Sequence, residues 1–344
     1  MNNCISNMDI DTQIFDFLNN FDKKSDKIDI PKETPLRVST RSAICKITQN
    51  INIDKMVEIL YYNINKNLVQ KENLDYPIVG IKYKNININL NAVRKKKNKS
   101  KKKKEKNFYN QVTLIIKPHS DIRPQNIKLF RNSSISMTGG KNKNDGLCAV
   151  VALLSEIKKY PIIFASDSER ENINYKDFRI TLINTDYSLE FKVDRMKLYD
   201  ILINQYKMFV IYSPDIYSGV KIYFFWNKNY TIQDGICRCE EKCYIKKNNK
   251  KKIGGCKRVT IAVFQSGKII ITGADKIKQT KNAYNCINNI IHSNYQELRR
   301  ITLQDLEKVE ESKNVNVNDN VNDNVNNNEI KKKLCLKIKV KNQC

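Results

Sequence analysis

Four cysteines crowd one polar stretch of the chain, Cys237-x-Cys239-x3-Cys243-x12-Cys256, inside the segment Asn227–Cys256. Four thiolates so close in sequence can close a tetrahedral zinc site, and ligation would fold a loop too polar to fold by itself. The spacing is not the common pair of C-x2-C units, so free or redox-active thiols stand as the alternative. Against them, free cysteine is usually buried, and this stretch is rich in lysine. Nothing else in the chain is set for catalysis. The two histidines, His119 and His292, lie away from the cysteines, and no acid–base set converges, so the chain does not read as an enzyme. The remaining cysteines (Cys4, Cys45, Cys148, Cys286, Cys335, Cys344) are scattered, with Cys148 and Cys286 on expected helices as ordinary core thiols. The N-terminus lacks a basic segment followed by an apolar core, and no apolar run approaches about 18 residues, so neither a secretory signal nor a membrane span is expected. Reduced thiols and an intracellular setting fit together.

The balance of charge names the class of partner. With 62 Lys+Arg against 36 Asp+Glu among 344 residues, the net charge is +26. A polyanion fits that excess, because each neutralised phosphate releases counterions. Part of the excess is concentrated in Arg94–Lys106, "RKKKNKSKKKKEK". Such a run does not fold alone, and it could clamp phosphates, serve as a localisation patch, or be a solvated loop.

The elements that position these features occur twice. "CKRVTIAVFQSGKIIITGAD" (Cys256–Asp275) reads as a tight hairpin, and Asn126–Lys141, "NIKLFRNSSISMTGGK", is a weaker copy with the same Ile-x-apolar-Phe, polar turn, short strand and Thr-Gly. Before each hairpin comes an extended segment (Leu36–Ile47; Phe178–Val193). A helix follows, opening on Ile53-Asp54-Lys55-Met56 or Val193-Asp194-Arg195-Met196, where the Asp suits the helix N-terminus. A strand comes next (Phe108–Pro118; Tyr217–Trp226). After each hairpin a longer helix closes the unit, with Leu147, Val150, Val151, Leu154 and Ile157, or Ala283, Tyr284, Ile287, Ile290 and Ile291, as its apolar stripe. This repetition predicts an α+β fold of two pseudo-symmetric repeats. Their strands form one curved antiparallel sheet, with helices covering one face and the other left open.

The expected boundaries are an arm over 1–33, a first repeat over 34–165 with a basic insertion at 62–107, a second repeat over 176–300 with the cysteine-rich insertion at 227–256, and a low-complexity, basic tail over 301–344.

Alternation assigns Ser266, Lys268, Ile270 and Thr272, and in the first copy Asn132, Ser134, Ser136 and Thr138, to the open face. Ile269, Ile271, Ile135 and Met137 fall under the helices. A face of small polar and aliphatic groups, poor in carboxylates and rimmed by Lys/Arg, suits a DNA minor groove. Phe130 and Phe264 at the hairpin bends, and Phe108 and Tyr217 at the starts of the preceding strands, could insert as wedges between base steps. Burial in the core is the competing fate.

These repeated hairpins resemble those of the TATA-box-binding protein family, which read like LIF-x-S-G-K-x-V-x-T-G. The resemblance spans roughly residues 34–300 outside the insertions, and is best at Val259–Ala274. The cysteine-bearing insertion and the Asn- and Lys-rich composition are similar to members from large DNA viruses. The resemblance implies a saddle on double-stranded DNA, bound as a monomer and bending promoter DNA. General transcription factors or RNA polymerase would sit on the convex helices. A non-specific architectural protein is the other reading. The resemblance also implies the kinking pairs Phe108 with Phe130 and Tyr217 with Phe264. Where the family carries a central Asn in each half, alignment puts Leu36 and Leu182 here, a departure that bears on recognition of an ordinary TATA sequence.

Overall fold

Eleven strands join in one open antiparallel sheet in the computed structural model, which describes residues 30–70, 76–89, 110–243 and 255–300. The first half supplies β1 (Arg37–Ile47), β2 (Ile78–Tyr83), β3 (Ile86–Asn89), β4 (Gln111–Ile116), β5 (Gln125–Phe130) and β6 (Ser134–Gly140). The second supplies β7 (Tyr175–Ser188), β8 (Phe209–Ser213), β9 (Tyr217–Trp226), β10 (Lys257–Val263) and β11 (Lys268–Ala274). Their order across the sheet is β3-β2-β4-β5-β6-β1-β7-β11-β10-β9-β8. Apart from the extra edge strand β3, the order reads the same from either end. The two first strands meet at the centre.

Register fixes the pseudo-dyad. Arg41 lies across from Gly140 on one side and Ile183 on the other, while Ile183 lies across from Ala274 and Arg41. Gly140 and Ala274 end the matching strands β6 and β11, so the Arg41–Ile183 pair is the symmetry centre. The hairpins also match pair for pair: Leu129 faces Ile135 as Val263 faces Ile269.

Helices α1 (Ile53–Gln70), α2 (Lys143–Ile157), α4 (Arg195–Asn204) and α5 (Ile277–Ser293) take up one face of the sheet, and the short α3 (Asp167–Glu171) and α6 (Tyr295–Leu298) sit at the ends of the halves. Each half has its own core. Ile53, Met56, Val57 and Leu60 of α1 pack with Val112, Leu114, Ile127, Leu129, Ile135 and Met137. Leu198, Ile201 and Leu202 of α4 and Ala283, Ile287 and Ile291 of α5 pack with Val220, Ile222, Phe224, Ile261, Ile269 and Ile271. Alternation is the cause: β4 reads Gln-Val-Thr-Leu-Ile-Ile, and its second, fourth and sixth residues are the buried ones. Each strand has one apolar face, and the helices have to cover it. No helix among the described residues is long and apolar enough to cross a membrane.

Several expectations change. The segment 62–107 is not simply an insertion, because α1 continues to Gln70 and β2 and β3 follow, with β2 pairing directly with β4. Its counterpart in the second half is β8, which pairs with β9. Arg94–Lys106 lies outside the described residues, as do 1–29 and the tail from 301. Glu33, placed by the sequence in the arm, is tied down: its carboxylate accepts from Tyr284 at 2.9 Å and Asn288 at 3.1 Å on α5. The two helix-start aspartates differ. Asp194 caps α4, accepting from the backbone of Met196 and Lys197. Asp54 lies one residue inside α1, where Asn52 accepts from Lys55 instead. On α2 the stripe runs through Gly146, Ala149, Val150, Leu153, Leu154 and Ile157, so Val150, Leu154 and Ile157 hold while Val151 is 48% exposed. Cys148 and Cys286 are half-buried.

Candidate nucleic-acid interface

The open face carries what the cores reject. On β6, Ser134 and Ser136 are half-buried and Thr138 is exposed, between Ile135 and Met137 in the core. On β11, Lys268 and Ile270 are exposed and Thr272 is half-buried, between buried Ile269 and Ile271. The neighbouring strands continue the pattern with Thr113 and Lys128 in the first half and Thr260 and Arg258 in the second. Asn132 and Ser266 belong to the turns rather than the strands, and both are exposed. The carboxylate of Asp186 shares this face, but Arg37 holds it with Nη2 at 2.8 Å and Nε at 3.0 Å.

Aromatic rings stand at the outer hairpin ends. Phe130 ends β5 and Phe264 follows β10; both are half-buried, and neither belongs to either core cluster. Tyr217 leans on Phe264, with ring centroids 5.7 Å apart. Gly219 makes that pair possible, because a Cβ there would lie 2.9 Å from the Tyr217 ring and 3.1 Å from that of Phe264. Phe108 lies outside the described residues.

The centre differs from expectation. Leu36 packs with the second-half core, on the helix side, and is not on the open face. The reason is an extra residue in β1 between Val38 and Thr40, where two steps along β1 meet one along β7. Leu36 and Val38 precede it and Ala43, Cys45 and Ile47 follow, so the buried positions switch parity within the strand. Leu182 does lie at the centre, directly across from Ser42 and next to buried Ile183. Leu36 and Leu182 are therefore not symmetry mates. Asn184, on the same face as Leu182, keeps its Oδ1 buried without a hydrogen-bond partner.

The four cysteine sulfurs converge within 4.8 Å of one another. Sγ of Cys239 is 3.4 Å from Cys256 and 3.7 Å from Cys243, and Cys256 is 3.9 Å from Cys237. A Zn–S bond of about 2.3 Å in a tetrahedron puts sulfurs about 3.8 Å apart, whereas a disulfide needs about 2.05 Å. The donor set thus fits a tetrahedral ion. Tyr230 contacts Cys239 and Cys256 with its hydroxyl, at 3.4 and 3.6 Å. Its hydrogen bond pulls the Cys239 thiol down to about 6, while burial pushes Cys256 up to about 12 and Cys243 upward.

This centre bridges the end of β9 to the start of β10 on the open side. It packs on Phe225, with Tyr223, Phe209 and Tyr230 around it, a cluster separate from the core beneath the helices. Sequence reasoning missed this aromatic platform. Its signal is the parity of Tyr217, Lys221, Tyr223 and Phe225 against buried Val220, Ile222 and Phe224.

Residues 237–294 match the family model for transcription factor TFIID, or TATA-binding protein, a span that begins with the first cysteine and runs through α5. A protein described as TATA-box-binding protein-like, from Acanthamoeba polyphaga mimivirus, is 31% identical over 285 residues, covering 78% of this chain and 68% of the relative. Among solved structures, the TBP of Methanococcus jannaschii aligns with 76% of this chain and 99% of its own, at 14% identity and a TM-score of 0.41. With 31% identity to a relative of which it covers 68%, the chain belongs to the TATA-box-binding protein family, whose members are DNA-binding transcription factors and not enzymes.

Proposed function

We propose that the open face binds duplex DNA through the minor groove and bends promoter DNA to support transcription initiation. The observation that carries this reading is the placement of Phe130 and Phe264. Large rings at matching outer positions, left out of both cores, are otherwise a cost in water. Wedged between base steps, they recover a few kcal/mol of unstacking per step through the larger contact that a bent duplex allows. Between them, Ser134, Ser136, Thr138, Ile270 and Thr272 meet the groove floor, and Lys268 and its basic neighbours meet phosphates.

Leu182 supports a second reading, a non-specific architectural DNA bender. A leucine facing Ser42 at the centre offers no hydrogen bond to base acceptors. Selection of bound duplexes separates the two, since an enriched AT-rich core belongs to a promoter factor and no enrichment to an architectural one. The convex helices would receive general transcription factors or RNA polymerase, with Tyr62 (67% exposed) and Met196 (57%) as apolar footholds. The chain acts as a monomer on its site. Cys237, Cys239, Cys243 and Cys256 hold one zinc ion, which ties the loop between β9 and β10 to the sheet. The deciding experiment measures DNA bending by energy transfer between duplex ends, with Phe130→Ala and Phe264→Ala beside the parent chain. Bending should fall while the fold is kept. Bending retained in both variants would reject the wedges, and with them this account of the face.

A further inference from the structure

We propose that the zinc centre belongs to the DNA contact surface of the second half, where it holds a row of ring-stacked cations against the sugar–phosphate backbone; this rests on the groove reading of the open face. Three observations converge. First, the centre lies on the groove side. Cys256 keeps the parity of Arg258, Thr260 and Ala262, opposite to Val259, Ile261 and Val263 in the core, and it packs on Phe225. Second, three cations sit on rings there. Lys221 Nζ is 3.9 Å from the Tyr217 centroid, Arg258 is 4.7 Å from that of Tyr223, and Arg238, between two of the thiols, is 5.8 Å from that of Tyr230. Stacking on a ring fixes a long cation in place and lessens the entropy lost when it meets a phosphate. Tyr223 is itself held face to face on Phe209, at 5.4 Å and 6°.

Third, among the described residues the first half shows no such row on the open face; its Lys84 lies 4.9 Å from the Tyr83 ring, and Tyr83 belongs to the core. The residues matching Lys221 and Arg258 by register are Thr113 and Pro124, and β4 joins β5 through residues 117–124 alone. The row and its metal support are therefore an addition to one lobe of a nearly symmetric saddle. A duplex on the open face meets these cations on the second-half side. Of the three, Arg238 is shared with Asp234, so Arg258 and Lys221 carry most of the contact.

The test uses the full chain, an AT-rich duplex, fluorescence anisotropy over a salt series, and metal analysis. Purified without chelator, the protein should hold one zinc per chain. Stripping the zinc should weaken binding about tenfold and lower the salt slope by about one phosphate contact, and added zinc should restore both. Arg258→Gln, which leaves the cysteines and the core untouched, should lower the slope by about one in zinc-loaded protein. That variant decides the matter if zinc-free protein fails to fold. Absence of bound zinc overturns the proposal, and so does an unchanged slope in Arg258→Gln. If bending is lost in Phe264→Ala while the slope is indifferent to Arg258, the groove reading survives and this one does not. If no variant alters binding, the groove reading itself has failed.

Discussion

The two halves solve one problem with different residues, and the hairpin turns show this most directly. Ser133 and Gly267 occupy the same position, both with positive φ, 63° and 81°. Ser133 tolerates it because its side chain points to a partner, the Gln49 carbonyl at 3.0 Å. At Gly267 a Cβ would stand 2.1 Å from the Phe191 carbonyl oxygen. The first half can thus carry a side chain at its bend, and the second has closed its bend against the backbone entering α4. The same tightening appears at Gly219 beneath the Tyr217–Phe264 pair. The second lobe is the more constrained, and it also carries the four converging thiols.

The largest expected effect tests that contrast. Gly267→Ala should cost about 3 kcal/mol or more in a denaturant titration, because left-handed strain adds to a backbone clash that no rotamer relieves. Ser133→Gly should stay within about 1 kcal/mol, the worth of one hydrogen bond. Equal losses at both sites would erase the difference between the turns.

Next come the wedges. If the halves contribute alike, Phe130→Ala and Phe264→Ala should each remove about half of the bend, and the double variant nearly all of it. A bend lost only with Phe264 would confine kinking to the lobe where Tyr217 backs the ring.

How much of this could be read from the sequence depended on how local each signal was. The hairpins were legible because strand alternation, turn and Thr-Gly lie within about twenty residues of one another, and register inside a tight hairpin leaves little freedom. The thiol cluster was legible for the same reason. Its place on the open face was not, since that depends on the parity of β9 and β10 across a 30-residue connection. β2 and β8 escaped notice because "IVGIKY" and "FVIYS" are short and carry no repeat signature. Leu36 failed through the extra residue in β1 between Val38 and Thr40. Small polar residues there give no strong alternation to expose a bulge, and a bulge exchanges the faces of everything on one side of it.

That correction is open to test at the third level of effect. Leu36→Asn should lower stability by about 1–2 kcal/mol, placing an amide against the second core, and leave DNA affinity per folded molecule unchanged. Leu182→Asn should leave stability within about 0.5 kcal/mol and change affinity or sequence preference, since it adds a donor at the centre of the groove face. The reverse assignment of effects would restore Leu36 to the centre.

The smallest effect separates the helix-start aspartates. Asp194→Ala removes a cap with two backbone donors and should cost about 1 kcal/mol. Asp54 is more exposed, and its carboxyl is held well below the usual range by Lys84 first, then Tyr83 and Arg131. Exposed pairs of this kind contribute less than about 1 kcal/mol, so Asp54→Asn should be the milder change at neutral pH. Its pH profile has a definite sign. A carboxyl depressed in the folded state adds stability above its unfolded value, near 3.9, and loses it as pH falls through the folded one. The gap between parent and Asp54→Asn should therefore be widest near pH 7 and narrow steadily below about pH 4 in parallel denaturant titrations. A gap that widened with acid would mean that Asp54 is strained by its neighbours, and that the first half, like the second, gains its helix start from capping alone.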